Sequence, residues 1–163
     1  MMAILSIKAK AAIDKWLTKF PPDQKQSAVL FALRTVQAEN KGWLTEPLMD
    51  AVAAYLGMPK IAVYEVASFY SMFDLAPVGK HKICVCTNIA CMLSDSDRVL
   101  KHLKQELGIG PGETTQDGRF TIKEVECLAA CGAAPVMQID RTVYEKITPE
   151  KIDHILAELE PRE

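Results

Sequence analysis

At 163 residues, with 49% hydrophobic and 25% charged side chains, the chain has material for one domain or two small ones and is too apolar for intrinsic disorder. Its formal net charge of -2 gives no electrostatic reason for a nucleic acid or an anionic membrane as partner, so the expected partners are proteins. No stretch approaches the ~18 consecutive apolar residues of a membrane span, which argues against direct membrane insertion.

The N-terminal stretch MMAILSIKAKAAIDKW has Lys8, Lys10 and Asp14 where a signal peptide needs an unbroken apolar core. No Arg precedes Arg34, against a mitochondrial presequence. The expectation is a cytoplasmic protein whose five cysteines stay reduced, where metal binding is a better reading than structural disulfides.

Ile13, Trp16, Leu17 and Phe20 fall on one helical face, and Pro21-Pro22 ends that helix. Residues 24–39 predict a second helix, in which Ala28, Leu30 and Phe31 widen the stripe of Val29, Leu33 and Val36 until most of it reads as buried; Gly42 breaks it. Thr45 is the N-cap of a third helix facing Met49, Val52, Ala53 and Leu56 inward, and Gly57-Met58-Pro59 turns into a fourth with Val63, Val66, Ala67 and Tyr70. The segment 71–80, with Pro77 and Gly79, reads as a joint. Beyond it the period changes: Lys82 to Thr87 is a strand with Ile83 and Val85 on one face and Cys84 and Cys86 on the other. A helix then starts near Ser94 to Asp97, packs Val99, Leu100, Leu103 and Leu107, and stops at Gly108. Phe120 to Val125 is the next strand, 136–139 and 142–147 make a hairpin across Asp140-Arg141, and Pro149 opens a last helix with Ile152, Ile155, Leu156 and Leu159 inward. The order, β-α-β-β-α, is that of a thioredoxin-like layer with a right-handed crossover after its first strand.

Ala53, Gly57 and Val63 have the spacing of a helix-turn-helix DNA reader. Residues 41–79 nevertheless hold two basic side chains, Lys41 and Lys60, against four acidic ones, Glu46, Asp50, Glu65 and Asp74, so phosphate contacts have no source and a packed helical hairpin is favoured.

The chemistry gathers on Cys86-Thr-Asn-Ile-Ala-Cys91, answered after 35 intervening residues by Cys127-Leu-Ala-Ala-Cys131. Two close pairs far apart in sequence suit a four-thiolate metal site, each loop supplying two ligands. Zinc sites pair their cysteines mostly through two residues, a redox disulfide prefers C-x-x-C, and the plant-type C-x4-C-x2-C run is missing. A [2Fe-2S] site is the preferred reading, with a zinc site and unliganded thiols as alternatives. Such a cluster concentrates negative charge, and Asn88, Ala90, Ala129, Ala130, Gly132, Ala133 and Ala134 are small or turn-forming residues that let backbone N–H groups approach the sulfurs. The helix after Cys91 is a further source of positive potential. Cys84 lies too close to Cys86 to share its metal and reads as a packed thiol. His81, His102 and His154 belong to no cysteine motif. The chain has no Ser/His/Asp order, phosphate-cradling Gly loop or G-x-G-x-x-G, so an electron donor must sit on another polypeptide.

Gly42-Trp43-Leu44, the run Tyr64 to Tyr70, Pro77 to Lys80, the C-x4-C, Thr114 to Thr121, Glu124 to Leu128 and Cys131-Gly132-Ala133-Ala134-Pro135 together resemble the [2Fe-2S] subunit (E-type in bacteria) of NADH:quinone oxidoreductase, respiratory complex I. The resemblance runs from about Pro21 to Leu156. It implies an α+β chain: an N-terminal helical bundle (1–75) followed by a thioredoxin-like [2Fe-2S] ferredoxin domain (80–163), with Cys86 and Cys91 on one iron and Cys127 and Cys131 on the other. It also implies an electron-transfer role without catalysis by this chain alone, beside a flavoprotein subunit that carries FMN, the NADH site and a [4Fe-4S] cluster, in a complex peripheral on the cytoplasmic side of the inner membrane. Equivalent subunits of soluble NAD-linked formate dehydrogenases and NAD-reducing hydrogenases are an alternative of the same kind, and a zinc-stabilised interaction module is one of another kind. Trp43, Phe69, Tyr70 and Phe73 are candidates to embrace the flavoprotein, or else contacts inside the bundle. Two positions depart from the family pattern: Ala129, where Gly is common, and Ser94-Asp95-Ser96, where Arg-Gly-Ser often stands. Both are expected to alter hydrogen bonding and charge near the cluster.

Overall fold

The Ser6 hydroxyl accepts from the Ala9 N–H at 2.9 Å and caps the first helix, α1 (Ile7–Leu17), so this helix begins a turn and a half before the apolar run that announces it. The computed structural model describes residues 5–159, and the first four residues of the N-terminal stretch lie outside that range. Trp16 of α1 stacks on Phe31 with ring centroids 4.3 Å apart, and Lys19 Nζ sits 3.3 Å above the Trp16 ring. The predicted helix over 24–39 opens as a 3-10 turn (Lys25–Ala28) before α2 (Val29–Glu39). It is less buried than its composition suggests. Val29, Ala32, Leu33 and Val36 form the inner stripe, while Leu30 is exposed and Phe31 is half-buried under Trp16.

Thr45 Oγ1 accepts from the Leu48 N–H to start α3 (Glu46–Leu56), and Gly57 at φ 68° ends it in the left-handed conformation that glycine adopts without strain. The Met58 N–H then donates to Ala53 O at 2.9 Å, and α4 (Lys60–Phe69) follows directly. Ile13, Leu33, Leu44, Val52 and Val63 are fully buried in one core, each such side chain contributing about 1.5–3 kcal/mol of transfer free energy. Phe73 belongs to that core at 4% exposure, which removes it as a docking candidate, whereas Phe69 is 80% exposed. Lys60, the one basic residue of α4, is held by Asp50 at 2.6 Å, a further reason why this hairpin offers nothing to a phosphate.

The chain divides into two compact units, Met1–Pro77 and Val78–Glu163. The second is a four-stranded sheet, β1 (His81–Cys86), β2 (Phe120–Val125), β3 (Met137–Ile139) and β4 (Thr142–Tyr144), in the order β2-β1-β3-β4. Strands β1 and β2 run parallel, from His81 opposite Phe120 to Cys86 opposite Val125. Such a pair needs a crossover, which α5 (Ile89–Met92) and α6 (Ser96–Leu107) supply. Strand β3 pairs antiparallel to β1 and β4 to β3, and α7 (Pro149–Leu159) closes the unit. The predicted hairpin supplies the two strands β3 and β4, so the order is β-α-β-β-β-α when its strands are counted separately, and the one added element is the short helical turn α5 before α6. Strand β4 is shorter than the predicted 142–147 because Lys146, at φ 48°, leaves the ladder and donates its N–H to Ala133 O at 2.8 Å. Ile83 and Val85 of β1 share a core with Val99 and Leu103 of α6, Phe120 and Ile122 of β2, Met137 of β3, and Ile152 and Ile155 of α7.

Gly79 lies where its chain runs against the start of β2. Its N–H donates to the buried Thr121 Oγ1 at 2.6 Å, and a Cβ added there would sit 2.8 Å from the Phe120 carbonyl carbon and 2.9 Å from the Arg119 carbonyl group. The obstacle is backbone, which cannot rotate aside. Gly79→Ala is therefore expected to destabilise the second unit by roughly 1–3 kcal/mol, the usual cost of overpacking; a denaturation midpoint equal to that of the wild type would show that the contact yields freely.

Candidate metal centre

Because β1 and β2 are parallel and in register, their C-terminal ends lie at the same edge of the sheet: Cys86 closes β1 opposite Val125, and Cys127 follows two residues beyond Val125. The ladder continues past Cys86, with the Thr87 N–H donating to Val125 O at 3.1 Å. Strand β3 begins on the other side of the same edge, where the Cys86 N–H donates to Val136 O at 3.2 Å. The topology thus carries the loop from 127 to 136 past the end of β1. Asn88 Oδ1 accepts the Ile89 N–H at 2.7 Å and opens α5, which contains Cys91, and a 3-10 turn (Cys131–Ala133) contains the last of the four. The short α5 has no counterpart in the sequence expectation: a single turn opened by Asn88 brings its first N–H groups to Cys86.

Cys86 and Cys91 are 2% and 1% exposed and share an apolar pocket with Val136 and the half-buried Leu128, Ala130, Ala133 and Ala134, whereas Cys127 and Cys131 are exposed. All five cysteines are thiols without a disulfide. Burial is the largest influence on Cys86 and pushes its thiol up, but the Asn88 N–H, the Cys91 thiol and the Leu128 N–H all favour its thiolate and together bring it below the usual cysteine range. Burial likewise pushes Cys91 up, and although the Val136 N–H opposes this, the neighbouring Cys86 adds to the rise. The Ala129 N–H lies 3.2 Å from Cys127 Sγ. Backbone donors therefore approach three of the four sulfurs. Asn88 and Ala129 stand among the small or turn-forming residues singled out from the sequence; Leu128 and Val136 do not, since a backbone N–H carries no side-chain signature. Cys84 is buried on β1, two residues before Cys86 on the same face.

The donor set suits a group with several negative sulfurs: four thiols on two loops, with N–H groups aimed at Cys86, Cys91 and Cys127. Among the described residues, no three of these sulfurs lie within 4.8 Å of one another. Both departures from the family pattern include a residue at positive φ, Asp95 at 65° and Ala129 at 56°, so each adds backbone strain to the changes expected from its side chain.

A family model described as thioredoxin-like [2Fe-2S] ferredoxin matches residues 13–160. Among curated proteins, the chain is 48% identical over 143 residues to the E-type subunit of NADH-quinone oxidoreductase from Rickettsia bellii, covering 88% of this chain and 86% of that one. It is 42% identical over 147 residues to the mitochondrial NADH dehydrogenase (ubiquinone) flavoprotein 2 of Dictyostelium discoideum, covering 90% of this chain and 60% of the other. Among solved structures, an NAD+-reducing [NiFe]-hydrogenase in its H2-reduced state superposes with a TM-score of 0.70 at 20% identity, over 80% of this chain and 22% of the hydrogenase chain, a likeness of fold.

An alanine in the left-handed region carries about 1–2 kcal/mol of strain, of which glycine's greater freedom in the unfolded chain returns about 0.4–1. Ala129→Gly is thus expected to stabilise the second unit by about 0.5–1 kcal/mol and Asp95→Gly to be closer to neutral, because Asp tolerates this region better than Ala. Chemical denaturation of the reduced chain reads both; a less stable Ala129→Gly would mean that the loop is unstrained.

Proposed function

The chain belongs to the thioredoxin-like [2Fe-2S] ferredoxin family, and from that premise we propose that it serves as the electron-transferring E-type subunit of an NADH-quinone oxidoreductase, with Cys86, Cys91, Cys127 and Cys131 holding one [2Fe-2S] cluster. The observation that carries the reading is the convergence of both cysteine pairs on one edge of the sheet, under backbone N–H groups. When bound, such a cluster takes up and releases one electron at a time. Cys86 and Cys91, inside the apolar pocket, hold their side of the site away from water, while Cys127 and Cys131 bring the other side to the surface, where an electron can pass to or from another protein. The N–H groups of Asn88, Leu128, Ala129 and Val136 favour the added negative charge without a cationic side chain. Cys84, two residues before Cys86 on the same strand, is not a ligand.

The family model, described as a thioredoxin-like [2Fe-2S] ferredoxin, weighs against the zinc-stabilised module.

The chain works beside a flavoprotein subunit that carries FMN, the NADH site and a [4Fe-4S] cluster, on the cytoplasmic side of the inner membrane. The relatives named for NADH-quinone oxidoreductase and NADH dehydrogenase favour that assembly over an NAD-linked formate dehydrogenase or hydrogenase, since the hydrogenase likeness is one of fold. Among the described residues no helix is long and apolar enough to cross a membrane.

Anaerobically purified chain is expected to carry about two iron and two acid-labile sulfide per polypeptide. Ser at Cys86, Cys91, Cys127 or Cys131 should lower that content to below about half, while Cys84→Ser retains it. Zinc without iron, or cluster loss in Cys84→Ser with retention in Cys86→Ser, would overturn the assignment. Co-expressed with the flavoprotein subunit of the same source, the chain should co-purify at moderate salt and the pair should oxidise NADH with an artificial acceptor, which the chain alone does not do.

A further inference from the structure

Away from the cysteines, α6 and α7 bring together His102, Glu106 and Asp153, each with one potential ligand atom, and the three atoms lie within 4.8 Å of one another. We propose that these side chains form a second metal site, for one divalent transition ion of the zinc type, that clips α7 to α6. The proposal stands on its own, independent of the reading of the cysteines.

The placement follows from the two helices. His102 and Glu106 are four residues apart on α6 and so occupy neighbouring places on one face. Asp153 comes from α7, a helix that shares a core with α6 through Val99, Leu103, Ile152 and Ile155. The His102 side chain is 18% exposed and its Nε2 lies 2.6 Å from Asp153 Oδ1, so the imidazole is already oriented by packing. The Asp153 side chain is 53% exposed, so room to rotate lies on its solvent side. A zinc-type ion binds imidazole nitrogen and carboxylate oxygen at about 2.0–2.2 Å, which sets neighbouring ligands roughly 3.4 Å apart. Widening the His102–Asp153 contact by about an ångström through rotation of Asp153 admits it.

The chemistry of the set selects the ion. One imidazole and two carboxylates suit zinc, cobalt or nickel; magnesium and calcium prefer all-oxygen sites. Ligation uses the bare Nε2 lone pair, with the imidazole proton held on Nδ1. Two carboxylates beside a neutral imidazole carry -2, which a divalent ion cancels. Glu106 stands in the last turn of α6, where the carbonyl end of the helix favours a cation.

The test is a titration of the full chain with cobalt(II), which reports its ligands by absorption, on wild type, His102→Ala and Glu106→Gln loaded alike at the cysteines. Wild type is expected to take up about one equivalent more than His102→Ala, in a band without sulfur-to-metal charge transfer. Glu106→Gln keeps the His102–Asp153 contact and so guards against a folding defect; it is expected to bind at least tenfold more weakly and to lose the rise in melting temperature that cobalt gives the wild type. Equal uptake by wild type and Glu106→Gln, with no difference in melting, would overturn the proposal.

Discussion

The structure of the second unit depends on one pairing, that of β1 with β2 in parallel and in a single register. Side chains alternate across a strand, so a slip of one residue would turn Ile83 and Val85 out of the core and Cys86 away from its loop together. Core and site therefore select the same register. The Gly79 N–H to Thr121 Oγ1 bond and the Thr114 to Thr121 hydroxyl contact at 2.7 Å hold the other end of β2 in place. The apolar energy that closes the sheet is thus also what aims the sulfur of Cys86.

The two units use different means to the same end. In the helical unit, caps and apolar stripes set the elements and long side chains tie the connections: Gln37 donates its amide to Met72 O at 3.1 Å and accepts the Asp74 N–H at 2.9 Å, fixing the segment after α4 against α2. In the sheet unit the connections are fixed by backbone conformation. Asp140, at φ 55°, turns the hairpin and at the same time bonds His81 Nδ1 at 2.8 Å and the Lys82 N–H at 3.0 Å, so the turn is fastened to the first strand.

Much of this was legible in the residues. The apolar period changes from helix to strand after Gly79, Thr45 and Gly57 bracket α3, and the alternation in β1 puts Cys86 and Cys84 on one face. The fold class and the loops that carry the thiols follow from such local signals. What was not legible depends on backbone: the turn of α5 is only four residues long, too short for a periodic pattern, and the N–H groups of Leu128 and Val136 act through atoms that every residue has. Ala129 and Asp95 read as changes of side chain because nothing in a sequence states the sign of φ. The sequence left Phe73 open between docking and bundle contact because nothing near it announces that the chain folds back onto the bundle, where it is buried.

The unequal burial of the cysteines gives the centre a front and a back. Cys86 and Cys91 sit under Val136 and its neighbours, whereas Cys127 and Cys131 face solvent on a loop with its own strained residue. A chelator, an oxidant or an alkylating reagent arriving from water meets the C-terminal pair first, and the inner pair becomes accessible only after the loop has lifted. With the proposed cluster in place, damage would therefore start at the exposed pair, Cys127 and Cys131, and repair would start from the buried pair, Cys86 and Cys91.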